Sequence, residues 1–158
     1  MFLKRRGGLA RLAGLALAAA LGVATGAPGL AQSEATEKQM PEATPEILAL
    51  GETVWNNGTC ANCHGMTGGG GGGGDYPSGP SLRTSGLTYD LMVQIVSCGL
   101  PGSEMPSWLK GAYTEVSCFG MDLGPAPAGT RVTWAFTEDE IEALVTYVFA
   151  TMVQSSSQ

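Results

Sequence analysis

Apolar residues recur at helical spacing in three separate stretches of the chain, with glycine- and proline-rich segments between them. Ile47, Leu50, Gly51, Val54 and Trp55 mark one face of a helix that Thr44 caps and Pro45 opens, and that ends near Asn57 and Gly58. A second helix is predicted after the cap Thr88, with Leu91, Met92, Ile95 and Val96 inward and Gly99 just past its end. The third carries the fullest set of signals. Thr137 and Glu140 fit a capping box, Phe136 and Ile141 a hydrophobic staple, and Ile141, Leu144, Val145, Val148, Phe149 and Met152 trace one stripe.

The segments between the helices lack any such period. Residues 32–43 read as a flexible leader, Gly68 to Gly74 as a flexible glycine loop, and residues 155–158 as a disordered tail. Gly99 to Ala135 shows neither helical nor strand alternation, and a structureless stretch of that length inside a domain usually carries function. At the N-terminus, Lys4, Arg5, Arg6 and Arg11 precede or flank a Leu/Ala-rich run that closes on Gly29 and Ala31. Residues 1–31 therefore read as a secretory signal peptide. An uncleaved anchor is the alternative, weakened by Gly14, Gly22, Gly26 and Pro28, and no stable membrane insertion is expected once the signal is removed. What remains is one small domain over residues 44–154. Three short helices and long loops bury little apolar surface, so such a domain needs a staple: a disulfide, a metal or a large cofactor.

Export changes the charge. All fourteen Asp and Glu residues lie beyond residue 31, whereas four of the eight Lys and Arg residues leave with the signal, so the mature chain carries −10 in place of −6. Nucleic acid is excluded as a partner, and basic protein surfaces are favoured.

Candidate chemistry sits in Gly58 to Gly65, GTCANCHG. In one helical turn Cys60, Cys63 and His64, the only histidine of the chain, project from one face. Covalent haem requires this arrangement: two thiols add to the vinyl groups along one edge of the ring and the imidazole reaches the iron. A structural zinc needs four converging ligands, which adjacent Cys63 and His64 serve poorly, and a redox dithiol belongs in a βαβ setting that is lacking here.

With these pieces in order, the chain resembles the class I monohaem c-type cytochromes from about Thr44 to Met152: a helix with Gly51 and Trp55, CANCHG, a glycine loop ending GPSLR, a helix, MPSW, and a last helix containing Tyr147. The resemblance implies an all-α small cytochrome c fold, three to four short helices around one covalent haem c with long Gly-rich loops. It further implies that the first and last helices cross at Gly51 and Tyr147, that the carbonyl of Pro80 accepts a hydrogen bond from the far nitrogen of His64, and that Arg83 lies near a haem propionate, although a solvated loop arginine fits the sequence equally.

A sixth iron ligand cannot be a second histidine, which leaves thioether sulfur. Met66 is too near His64, Met1 leaves with the signal, Met40 lies in the leader, and Met92 and Met152 sit on helical stripes. Met105 and Met121 remain; Met105 is followed by Pro106, which biases it to an extended conformation, and it matches the ligand position of the resembled family. Cys98 and Cys118 flank Met105, and in an oxidising compartment they are expected to form a disulfide that clamps the ligand loop. The stretch after Met105 is longer than in compact members of the family and carries Trp108, Tyr113, Phe119 and Trp134, expected to shield the haem edge or, alternatively, to build a partner surface.

The expected function is a periplasmic one-electron carrier, not an enzyme, with Cys60 and Cys63 as tethers, His64 and Met105 as metal ligands and Pro80 as their support. Expected partners are redox proteins: a periplasmic dehydrogenase, an oxidase or another cytochrome, with a basic docking surface. Two alternatives are a permanent haem subunit of a periplasmic dehydrogenase and a gas-binding sensor with a labile Met105.

Overall fold

The computed structural model describes residues 38–154. The expected signal peptide, the first part of the leader and the tail lie outside the described residues. Helix α1 spans Pro45–Asn57, α2 Cys60–His64, α3 Tyr89–Cys98 and α4 Glu138–Thr151; strands β1 (Ser107–Leu109) and β2 (Val132–Phe136) lie between α3 and α4. Among the described residues no helix is long and apolar enough to cross a membrane.

The caps act as the sequence predicts. The hydroxyl of Thr44 accepts from the amide of Ile47, that of Thr88 from Leu91, and Thr137 and Glu140 form both halves of a capping box. Each satisfies backbone donors that the first turn of a helix leaves orphaned.

Helices α1 and α4 cross where α1 carries no side chain. A Cβ on Gly51 would stand 2.5 Å from Tyr147 Cβ and against the carbonyl oxygen of Ala143, so only glycine lets the two backbones approach this closely. Val54 and Trp55 of α1 join Ile141, Leu144, Val145 and Val148 of α4 in the core, with Met92 and Val93 of α3. Tyr89 of α3 meets Phe149 edge-on at 5.9 Å and donates its hydroxyl to the carbonyl of Glu142 at 3.3 Å. Two stripe positions differ from expectation: Leu50 and Leu91 are exposed, because α1 and α3 each press on α4 through a narrower face.

The stretch after Gly99 is not structureless, and the described fold is not purely helical. Strands β1 and β2 form a parallel pair in which Ser107 faces Val132 and Leu109 faces Phe136, so β2 bulges by two residues around Trp134. Periodicity could not reveal strands this short, one of which is exposed along most of its length. The leader is likewise irregular but not wholly loose: Lys38 pairs with Glu138 at 2.9 Å and with Glu142. Burial alone would lower the ammonium's affinity for its proton, but the hydrogen bonds and charges of the two glutamates outweigh it and hold Lys38 above its ordinary range.

Candidate functional site

The site starts at the end of α1. Gly58 caps that helix, and Thr59 then takes a left-handed conformation (φ 51°) that turns the chain directly into α2, the single turn Cys60–His64. Gly58 lies close under this turn: a Cβ there would come within 3.2 Å of Cys60 Sγ and 3.3 Å of the Phe136 ring. Cys60 and Cys63 are free thiols on the face that looks into the crevice. Burial pushes the Cys60 thiol up to about 12, opposed by a backbone hydrogen bond and aided by neighbouring Cys63. Among the described residues no group of three His, Cys, Asp or Glu side chains is placed to hold a metal ion.

His64 is held by the segment that follows the glycine loop. Its Nδ1 lies 3.0 Å from the carbonyl oxygen of Pro80, which accepts the hydrogen bond and leaves Nε2 as the free lone-pair donor. Gly79 makes this approach possible, since a Cβ there would stand 2.9 Å from Nδ1. The glycine run behind the motif is a loop but not a slack one. Gly70 N donates to His64 O (2.8 Å), Gly71 N to Gly79 O (3.0 Å) and Gly73 N to Asn62 O (3.0 Å), stitching it to both α2 and the GPSLR segment. A side chain at Gly70 would meet Ser81 N at 2.7 Å, so the fit itself requires glycine there.

The facing wall is the loop that carries Met105. Leu100 N donates to Met105 O (3.1 Å), Met105 N to the Ser103 hydroxyl (3.2 Å), and that hydroxyl to Leu100 O (2.8 Å), forming a tight knot. Behind the knot, Cys98 and Cys118 form the expected disulfide, with Cα atoms 5.7 Å apart, and buried Tyr113 donates its hydroxyl to Cys98 O at 2.9 Å. In front of it, Ser107 N donates to Arg131 O at 2.7 Å, and Arg131 pairs with Glu104 at 2.6 Å.

Between these walls lies a crevice with two adjoining lobes of about 350 and 140 Å³. Cys60, His64, Pro80, Leu100, Met105 and Trp108 border both. The smaller lobe is otherwise apolar, walled by residues that include Trp55, Leu82, Met92, Ile95 and Val148. This explains why Ile95 and Val96, placed on the inner face by their spacing, are only half-buried: both border the crevice.

Cys60, Cys63, His64, Pro80 and Met105 therefore all border one cavity, while Met121 stands outside it and exposed. The aromatic residues divide: Trp108 walls the crevice and stacks on Phe136 at 5.4 Å, Tyr113 is core, and Phe119 and Trp134 face solvent. Arg83 does not border the cavity; the arginine that does is Arg131. Arg131 went unseen because it lies far along the chain and is brought in by a strand pairing that no periodicity announces. Gly79 could have been found, since a glycine before the proline that supports a histidine must keep clear of the ring.

Two thiols, one imidazole and one thioether around a slot with apolar walls make a donor set that fits a covalently held haem. Residues 46–117 match the family model described as cytochrome C oxidase, cbb3-type, subunit III. These residues form a c-type cytochrome domain. Such a domain implies covalently bound haem c and haem-based electron transfer. No curated protein matches the chain. The matched cytochrome segment ends one residue before Cys118, so the second half of the disulfide, β2 and α4 are supplied by sequence beyond it.

Proposed function

We propose that this cytochrome is an exported, periplasmic one-electron carrier with one haem c, tethered by Cys60 and Cys63 and ligated by His64 and Met105. The observation that carries the reading is the convergence of those four side chains on one crevice, from two loops fastened independently. When bound, the haem supplies an iron that gains and loses a single electron. The protein's part is to hold that iron still. Pro80 fixes the His64 ring, and the knot around Met105 offers a soft sulfur from the other wall. If His64 and Met105 both hold the iron, no open position would be left on it for a substrate, which favours a carrier over a catalyst and over the gas sensor.

Purified protein should keep its haem through acid-acetone extraction, with an intact mass equal to residues 32–158 plus one haem. Met105→Ala should abolish the sulfur-to-iron charge-transfer absorption of the oxidised form and admit external ligands, while Met121→Ala changes neither. Extractable haem, or the reverse pattern in the two variants, would overturn the assignment.

A second reading is favoured by the matched family's description, which names an oxidase subunit: the chain serves as a permanent haem subunit of a larger redox complex. Stoichiometric co-purification with an oxidase or dehydrogenase from the native host, stable in high salt, would establish it over the free carrier.

A further inference from the structure

The titratable and charged groups bordering the larger lobe of the crevice are Cys60, Cys63, His64, Tyr76, Glu104 and Arg131. On the reading above, on which this inference rests, the haem takes up the first three. A haem also brings two carboxylates, and among the described residues the Lys or Arg that borders the crevice is Arg131. Arg83 borders neither lobe of the crevice.

Arg131 is placed with some care. Its carbonyl accepts from Ser107 N at 2.7 Å, Gly129 just before it accepts from Gly102 N at 3.1 Å, and its guanidinium reaches Glu104 Oε2 at 2.6 Å. These contacts run to both sides of Met105. The ion pair is more than half exposed, at 63% and 53%, so as a surface bridge it adds little to stability. Its position is what matters: the guanidinium borders the larger lobe, where the carboxylates of a bound haem would come within its reach, while water screens part of its charge.

We infer that Arg131, delivered by sequence beyond the matched cytochrome segment and steadied by Glu104, is the counter-charge to the haem carboxylates and thereby raises the reduction potential of the iron. A positive charge there disfavours the ferric state, which carries one more positive charge than the ferrous. Arg131 is in this sense a positioning residue for charge and makes no bond to the iron.

The test is electron exchange at equilibrium between the holoprotein and a reference mediator. Arg131→Gln should shift that equilibrium about fivefold toward oxidised protein, Arg131→Lys should restore most of it, and Arg83→Gln should leave it near the wild type. The shift should persist when Glu104→Gln is already present, and the sulfur-to-iron charge-transfer absorption should be unchanged throughout. An unshifted Arg131→Gln, or an equal shift from Arg83→Gln, overturns the inference. So does a shift that vanishes in the Glu104→Gln background, which would mean that Arg131 only neutralises that glutamate, or one that comes with loss of the charge-transfer absorption, which would mean a displaced Met105. Protein that carries no covalent haem fails earlier, by mass, and takes the functional reading with it.

Discussion

Gly51 stands where α1 and α4 touch backbone to backbone, and a single methyl has no room there. Gly51→Ala should lower stability by about 1–3 kcal/mol, the range for overpacking a closed contact, measured by denaturant unfolding with the slope unchanged. The crossing of Gly51 with Tyr147 was readable from the ordered motifs, as were the thiols and the imidazole, because their chemistry depends on spacing within one turn. Residues whose role depends on distant partners were not readable. Glu104 gains its role only from Arg131, distant in sequence and 2.6 Å away, and Gly79 only from the 2.9 Å that a Cβ there would leave to His64 Nδ1.

Elements were legible in proportion to their length and to the strength of their ends. Helices α1, α3 and α4 each begin on a threonine that accepts a backbone hydrogen bond, and the bounds follow from that chemistry. Helix α4 adds a pH signature. The backbone amide of Thr137, and secondarily its hydroxyl, hold the Glu140 carboxyl below its ordinary value despite the opposing effect of partial burial. A carboxyl whose affinity for protons is lower in the folded state contributes stability that is complete above the unfolded value, about 4.3, and fades as the pH falls through the folded one. Glu140→Gln should therefore cost stability at neutral pH and less in strong acid, while Thr137→Ala should cost about 1 kcal/mol. The paired strands were invisible for the opposite reason, since β1 has three residues and β2 buries only Phe136. What secures that region is covalent. Replacing Cys98 and Cys118 by alanine opens a link between positions 20 residues apart and should remove about 3 kcal/mol, with the Met105 charge-transfer absorption weakened before global unfolding.

At the scale of the whole molecule, acidity is spread widely but the crevice mouth carries one paired acid and base, Glu104 with Arg131. On the proposed carrier reading, long-range attraction would bring a basic partner near, and Tyr76 and Leu100 are exposed residues of the crevice available for the contact. Electron-transfer rates with a positively charged partner should fall as ionic strength rises toward a Debye length of about 8 Å, and Glu104→Gln should slow them more than Glu52→Gln on the exposed side of α1. A rate indifferent to salt would favour the permanent subunit. The two pairs of cysteines set a different demand, on the order in which the protein is made. A haem can be joined only to reduced Cys60 and Cys63, yet the same chain needs Cys98 and Cys118 oxidised, and four thiols meeting an oxidant together can pair in three ways. The fold separates their fates by access. Cys98 and Cys118 are 2% and 0% exposed, sealed behind Tyr113, whereas Cys60 and Cys63 border the open crevice. That difference in access predicts a clamp that forms before the cofactor is loaded: in haem-free protein kept in mild reductant, Cys60 and Cys63 should alkylate while Cys98 and Cys118 stay paired.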